Sequence, residues 1–317
     1  MLYKLFGLVI AFDDLLSGVP SVARAEVDIW VRFGTSINPP SSPSNWFMHW
    51  HSPNGKKWLS FAKVDGGYLL RFNRLADFFV RNDGNEIISM PKHDVPIDTI
   101  QHLLLDQVIP LVINLKGREP IHSSAMLVNQ GVVAFTGPTW CGKSTVVGNF
   151  LKAGYPLLSD DCLVLVEKDG DIYAIPAYPG LRLWGDALVH LFGDNGNYKS
   201  VAHYTDKRRF ETEKITDAYC AEPEPLKRLY TIADSSGAKG KADIVIERLS
   251  PRESFMALVR CAFRLDITDR DMLTRQFRFL ERVASRVSVR RLIYPREFNL
   301  LPAVREAILN DLKDLDN

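Results

Sequence analysis

The segment Gly137-Pro138-Thr139-Trp140-Cys141-Gly142-Lys143-Ser144 has the spacing G-x-x-x-x-G-K-[ST]. Few short patterns constrain a fold as tightly. Such a loop presents backbone N–H groups to phosphate oxygens only when a strand enters it and a helix leaves it. Both flanks carry that signal. Val132-Val133-Ala134-Phe135-Thr136 reads as a buried strand bounded by the turn Asn129-Gln130-Gly131. After the loop, Val146, Val147, Phe150 and Leu151 recur at helical spacing, and the run stops at Gly154, a C-cap residue. Gly137 to Ser144, with the next residue Thr145, are therefore the expected nucleotide contacts, with Lys143 reaching the terminal phosphates and Ser144 holding Mg²⁺. ATP and Mg²⁺ are the cofactors this implies. The competing reading, a chance match in a loop, supplies neither flank.

Two features sharpen that expectation. Asp160-Asp161 follows the loop by one helix and the short strand Pro156-Leu157-Leu158-Ser159, which places an acidic pair to meet metal and γ-phosphate from the opposite side. Consecutive strand residues point to opposite faces, so both carboxylates reach the phosphates only if the strand ends or bulges there. His122 opens the segment 122–128, expected to pair as a hairpin with the strand entering the loop.

The run from Ile121 to Leu165 resembles the catalytic core of HPr kinase/phosphorylase, the bacterial serine kinase whose core is related to ATP-dependent phosphoenolpyruvate carboxykinase. The resemblance rests on His122, the glycine loop and the paired aspartates. It is nearest to the HPr-kinase-related proteins, which include kinases that phosphorylate a serine of lasso-peptide precursors and carry a segment similar to Pro179-Gly180-Leu181-Arg182-Leu183-Trp184. About a third of the chain, roughly residues 118–210, carries it. The resemblance implies that Asp160 is the base that takes the acceptor hydroxyl proton and that Asp161 stands with Ser144 on the metal side. His122 would be a cationic neighbour that lowers the carboxylates' pKa. It also favours a role on the transferring phosphate for at least one of Lys207-Arg208-Arg209, a triplet that otherwise reads equally well as a solvated surface run. Two departures stand out. Trp140 occupies a position where the family usually has glycine, and the stretch 178–184 lacks the family's acidic magnesium ligand.

Composition fits an intracellular enzyme. The 317 residues carry 39 basic and 38 acidic side chains, so no global field recommends nucleic acid or a membrane as partner. Cys141, Cys162, Cys220 and Cys261 show no Cys-x-x-Cys spacing, against both a disulfide framework and a zinc site. Cys141 reads either as an oxidation-sensitive thiol at a helix N-terminus or as a small residue filling a small space. The apolar stretch Leu5–Phe12 reads as a first strand rather than a signal peptide, and no run suits a membrane helix. A cytoplasmic location follows.

The rest of the chain supplies scaffolding. Residues 1–96 read as a β-rich domain with hairpins around Asp65-Gly66-Gly67 and Asp83-Gly84-Asn85, and Asn38–Ser44 as a loop. A connecting helix over 97–117 is expected to start at Asp98 as N-cap and to kink at Pro110. Residues 118–317 form the expected kinase domain, with a hairpin around Asp169-Gly170, a capping box at Ser250-Pro251-Arg252-Glu253, and helices near 271–286 and 301–315. His49 and His51 have zinc-compatible spacing, but aromatic packing explains them better.

The fold class expected is therefore α/β: a phosphate-loop core of the HPr kinase/carboxykinase type with a mixed sheet, plus a small β-rich N-terminal domain. The activity expected is transfer of the γ-phosphoryl group of ATP to a serine of a peptide or protein, a lasso-peptide-type precursor being one candidate. A nucleotide-dependent sensor without transfer and a small-molecule kinase are the alternatives, and a homo-oligomer is left open.

Overall fold

A computed structural model describes residues 1–16, 18–34, 43, 45–52, 55–129, 131–194, 198–210, 218–233 and 243–313. The loop expected over Asn38–Ser44 lies outside them except for Pro43. The chain divides into two compact units: residues 1–118 with 202–204 and 264–273, and residues 119–201 with 205–263 and 274–317.

The first unit is built on one eight-stranded sheet. Its strands are β1 (Leu2–Leu5), β2 (Leu8–Phe12), β3 (Ile29–Phe33), β4 (Met48–His51), β5 (Lys57–Val64), β6 (Gly67–Phe72), β7 (Ala76–Arg81) and β8 (Glu86–Pro91). Their order is β1-β2-β3-β8-β7-β6-β5-β4, so the last five strands form an antiparallel meander. The expected single strand over Leu5–Phe12 is instead a hairpin. Phe6 and Gly7, at φ 55° and 70°, make a two-residue turn between Leu5 and Leu8, the geometry that primed turns require. A continuous apolar run hides such a turn, because both arms are buried. Helix α1 (Ile97–Leu103) starts after Pro96, not Asp98; Asp98 lies in its first turn. A π turn over Leu104–Val108 takes the place of the expected kink and leads into α2 (Ile109–Val112). Widening the helix there accommodates Pro110, which has no N–H to donate. The helical run ends at Gly117, left-handed at φ 71°.

The second unit holds a nine-stranded mixed sheet. Its path is β12 (Leu157–Ser159), β10 (Ser123–Val128), β11 (Gly131–Thr136), β18 (Glu224–Ile232), β14 (Asp171–Ile175), β13 (Leu163–Lys168) and β9 (Glu119–Ile121). Beside β18 runs β20 (Ser288–Ile293), and beside that β19 (Val245–Arg248). Strand β11 is central, antiparallel to β10 and parallel to β18. Its side chains alternate between two cores, as the period of a strand dictates. Val133 and Phe135 pack with Val146, Val147 and Phe150 of α3 (Lys143–Lys152). Val132 and Ala134 pack on the other face with residues of α5 (Pro251–Cys261) and α6 (Arg270–Arg286). Three short strands, β15 (Leu181–Leu183), β16 (Lys199–Ser200) and β17 (Arg208–Phe210), form a separate sheet next to α4 (Gly185–Phe192). Ser250 caps α5 through a reciprocal box with Glu253, with Pro251 at its first position. Helix α7 (Leu301–Leu312) closes the described chain. Among the described residues no helix is long and apolar enough to cross a membrane.

Candidate active site

Strand β11 delivers the chain to the glycine loop, and α3 carries it away. Two positions there admit no ordinary residue. Gly137 has φ 146°, and a Cβ on it would lie 2.8 Å from the Cys141 sulfur and 2.9 Å from the Ile232 carbonyl oxygen. Gly142, at φ 98°, caps α3, and a Cβ there would meet the Tyr294 hydroxyl at 2.9 Å. Between them, the Cys141 N–H donates to the Pro138 carbonyl at 3.2 Å, which closes a turn over Thr139 and Trp140. The Lys143 ammonium is buried and donates to the carbonyls of Gly137 and Pro138, each at 3.2 Å. Cys141 is buried, and burial pushes its thiol up despite the nearby Lys143. Of its two sequence readings, this supports the small residue in a small space.

Trp140 is the anomaly of the loop. It takes a left-handed backbone, φ 74°, where any Cβ costs about 1–2 kcal/mol. Its indole turns outward, 59% exposed, and stacks on Trp184 with ring centroids 4.1 Å apart and planes 18° from parallel. Arg296 donates to its carbonyl at 3.2 Å.

The carboxylates follow from the end of β12. The strand stops at Ser159, and Asp161 adopts φ 63°, so the two aspartates escape the alternation of a regular strand. The Asp160 side chain is fully enclosed. Its Oδ1 accepts from the Ser144 hydroxyl at 2.8 Å and the Ser124 hydroxyl at 2.7 Å, and its Oδ2 from the Arg182 amide at 3.0 Å. Asp161 keeps 14% of its side chain accessible, and its Oδ2 lies 3.5 Å from the Lys207 ammonium and 3.8 Å from the Arg182 guanidinium. The expected metal-side partner of Ser144 was Asp161; the hydroxyl instead bonds Asp160.

Arg182 ties this corner together. It is buried, donates to the Tyr178 hydroxyl at 2.6 Å and to the Asp160 carbonyl at 2.9 Å, and faces both carboxylates. The two acids consequently diverge. Burial and the charge of Asp161 push Asp160 up, with Arg182 and Lys207 pulling back. Burial also pushes Asp161 up, but Lys207 and Arg182 outweigh it and hold that carboxyl well below the usual carboxylate range.

His122 sits just before β10, with Nδ1 2.8 Å from the Asp161 carbonyl oxygen. That oxygen can only accept, so Nδ1 carries the hydrogen and Nε2 is left as the acceptor nitrogen. Burial and the charge of Lys143 lower its pKa to about 4. The ring is therefore neutral at pH 7, not the expected standing cation, and its charge when protonated adds to the lowering of Asp161 behind Lys207 and Arg182.

Of the basic triplet, Lys207 meets the acidic pair, and its ammonium also lies 5.9 Å from the Trp184 ring centroid. Arg208 and Arg209 are strand residues of β17, in register with Leu183 and Arg182 of β15, and Arg208 is exposed. Thr145 occupies the first turn of α3. Ser124, Tyr178 and Arg182 were given no role by sequence reasoning. Ser124 shares a face of β10 with position 122 two residues earlier, a signal that period-two reading could have used. Nothing in the spacing of Arg182 announces its reach to the aspartates.

Among the described residues no group of three His, Cys, Asp or Glu could hold a metal ion. His49 and His51 meet edge-on, ring centroids 6.4 Å apart, on β4.

Comparison of the sequence with known protein families and with curated proteins finds no match. Among solved structures, the chain is similar to the Hpr(Ser) kinase/phosphatase from Coxiella burnetii at 12% identity and a TM-score of 0.36. The similarity covers 62% of this chain and 99% of that one. It is a weak likeness.

Proposed function

We propose that the protein is an ATP-dependent kinase that transfers the γ-phosphoryl group to a serine hydroxyl of a peptide or protein. One observation carries the reading: the Ser144 hydroxyl at the start of α3 bonds a buried aspartate whose neighbour, Asp161, stays ionised and partly accessible beside Lys207.

Phosphoryl transfer asks little covalent chemistry of a protein; it asks for alignment and for neutralisation of spreading charge. The loop amides and Lys143 supply donors for phosphate oxygens. Ser144 and Asp160 offer two hard oxygens 2.8 Å apart, a set that suits Mg²⁺, which keeps several waters and borrows phosphate oxygens. Bound there, Mg²⁺ would offset charge on the β- and γ-phosphates. The acceptor hydroxyl needs a base it can reach. Asp160 is enclosed and Asp161 is not, so we assign the base to Asp161, reversing the order that the family resemblance implies. In the ligand-free chain Lys207 competes for that carboxylate. Transfer of the Lys207 ammonium to the γ-phosphate would raise Asp161's proton affinity at the moment it is needed. The serine oxygen then bonds phosphorus, the bond to the β-phosphate oxygen breaks, ADP leaves, and the proton passes to Asp161. His122, donating to the Asp161 carbonyl, positions that residue.

Labelled ATP and candidate acceptors, read by mass spectrometry, test the reading. Asp161→Asn should lose about two to four orders of magnitude in transfer rate, the usual worth of a positioned acid–base group, with nucleotide affinity nearly kept. Lys143→Ala should lose both. Normal transfer by Asp161→Asn, or label found on a free sugar or amino acid and on no polypeptide, would sink it.

A further inference from the structure

Trp140 is a large aromatic in a left-handed conformation on a loop built around glycines, with Trp184 stacked on its ring and Arg296 bonded to its carbonyl. One indole face lies on Trp184 at 4.1 Å; more than half of the side chain's residue remains in solvent. Beyond Trp184 comes Lys207, whose ammonium is 5.9 Å from that ring, and beyond Lys207 comes Asp161 at 3.5 Å. The contacts thus run in one order, from carboxylates to cation to inner indole to outer indole. The open face of Trp140 ends the series, and Arg296 donates to the Trp140 carbonyl.

We propose that this open indole face is the stacking platform for the base of the bound nucleoside triphosphate. The proposal rests on the kinase reading and extends it. With the γ-phosphate at the aspartates and the triphosphate on the loop, the nucleoside leaves at the other end of the ledge, where a flat π surface is presented. An acceptor residue would be expected at the Asp161 end, not beyond the second indole. Base–aromatic stacking tolerates any base, since every base has a π face. The site therefore selects a nucleotide over bare polyphosphate without choosing strongly between ATP and GTP. It also gives a use for a side chain that a glycine would otherwise spare the loop.

The test compares the full-length protein with Trp140→Gly and Trp140→Phe, titrated calorimetrically with ATP and with inorganic tripolyphosphate, both with Mg²⁺. Glycine accommodates the left-handed backbone, so the loop keeps its shape and the loss reports the indole. ATP should bind Trp140→Gly about ten-fold more weakly, while tripolyphosphate is unchanged and Trp140→Phe stays within about three-fold. ATP affinity equal in all three proteins would overturn the platform and leave the kinase reading standing. So would an equal loss for tripolyphosphate, which would place the effect in the loop backbone, or a change confined to the acceptor's KM. A wild-type protein that binds neither ligand would overturn both.

Discussion

The hairpin turns of the first unit and the mouth of the glycine loop both force the backbone into left-handed conformations, and they do so by largely different means. In the turns, glycine takes many of the positive-φ positions, among them Gly7, Gly66 and Gly84. Glycine absorbs the strain at these three positions, although Phe6 and Arg74 carry side chains at φ 55° and 65°, and Arg118 donates to the Phe6 carbonyl. At the mouth, Trp140 and Asp161 carry side chains at φ 74° and 63°. What holds them comes from far along the chain: Trp184 and Arg296 for the first, His122, Arg182 and Lys207 for the second. Strain kept in place by distant partners is the mark of a site selected for something other than stability.

The comparison breaks most visibly at Arg182. If distant charges hold the mouth, Arg182→Leu should destabilise the second unit by about 3–5 kcal/mol, the cost of leaving buried carboxylates without their cation. Urea unfolding reads this directly. A loss under 1 kcal/mol would show that the mouth, like the hairpins, is held locally.

Next comes the hairpin side. Gly67 stands opposite Arg81 on β7, and a Cβ added to it would lie 2.0 Å from the Val80 carbonyl oxygen. Gly67→Ala should cost about 3 kcal/mol, at the upper end of what overpacking produces, and should leave ATP affinity in the surviving folded fraction unchanged. A weaker ATP affinity in that fraction would erase the contrast between the two regions.

The smallest effect belongs to His122. Its pKa falls from an ordinary 6.5 to about 4 on folding, so between those values the unfolded chain binds the extra proton. Stability from this residue is complete above about pH 6.5 and is lost as the pH falls toward 4, by about 2 kcal/mol after discounting for partial exposure of the ring. His122→Asn should flatten stability over that interval. An unchanged slope would mean that the ring titrates as it does in the unfolded chain.

What could be read from residues alone follows the same divide. Asp65-Gly66, Asp83-Gly84 and Asp169-Gly170 announce turns, Ser250 to Glu253 announces a helix start, and the glycine loop announces its strand and helix. Each of these is settled within a few residues. The hairpin at Phe6-Gly7 escaped because its two buried arms read as one apolar strand. The start of α1 at Pro96 escaped because Asp98 offers an equally good local signal. Strand β18, the parallel neighbour of the strand that feeds the loop, pairs with residues roughly ninety positions earlier. Pairing at that separation is set by the shared cores, and a local pattern cannot express it. The aspartates and His122 were legible as types at a spacing. Their protonation was not, because burial and the approach of Arg182 and Lys207 decide it.

The enclosed sulfur of Cys141 gives the loop a built-in clock. With its thiol shielded and its pKa raised, alkylation can proceed only when the segment from Gly137 to Gly142 peels away from Ile232 and Tyr294. The rate of modification is then the fraction of time spent in that excursion multiplied by an intrinsic reactivity common to any open thiol. A ligand seated on the loop slows the reaction in proportion to how seldom it lets go. Breathing of the glycine loop thereby becomes measurable with a maleimide and a stopwatch.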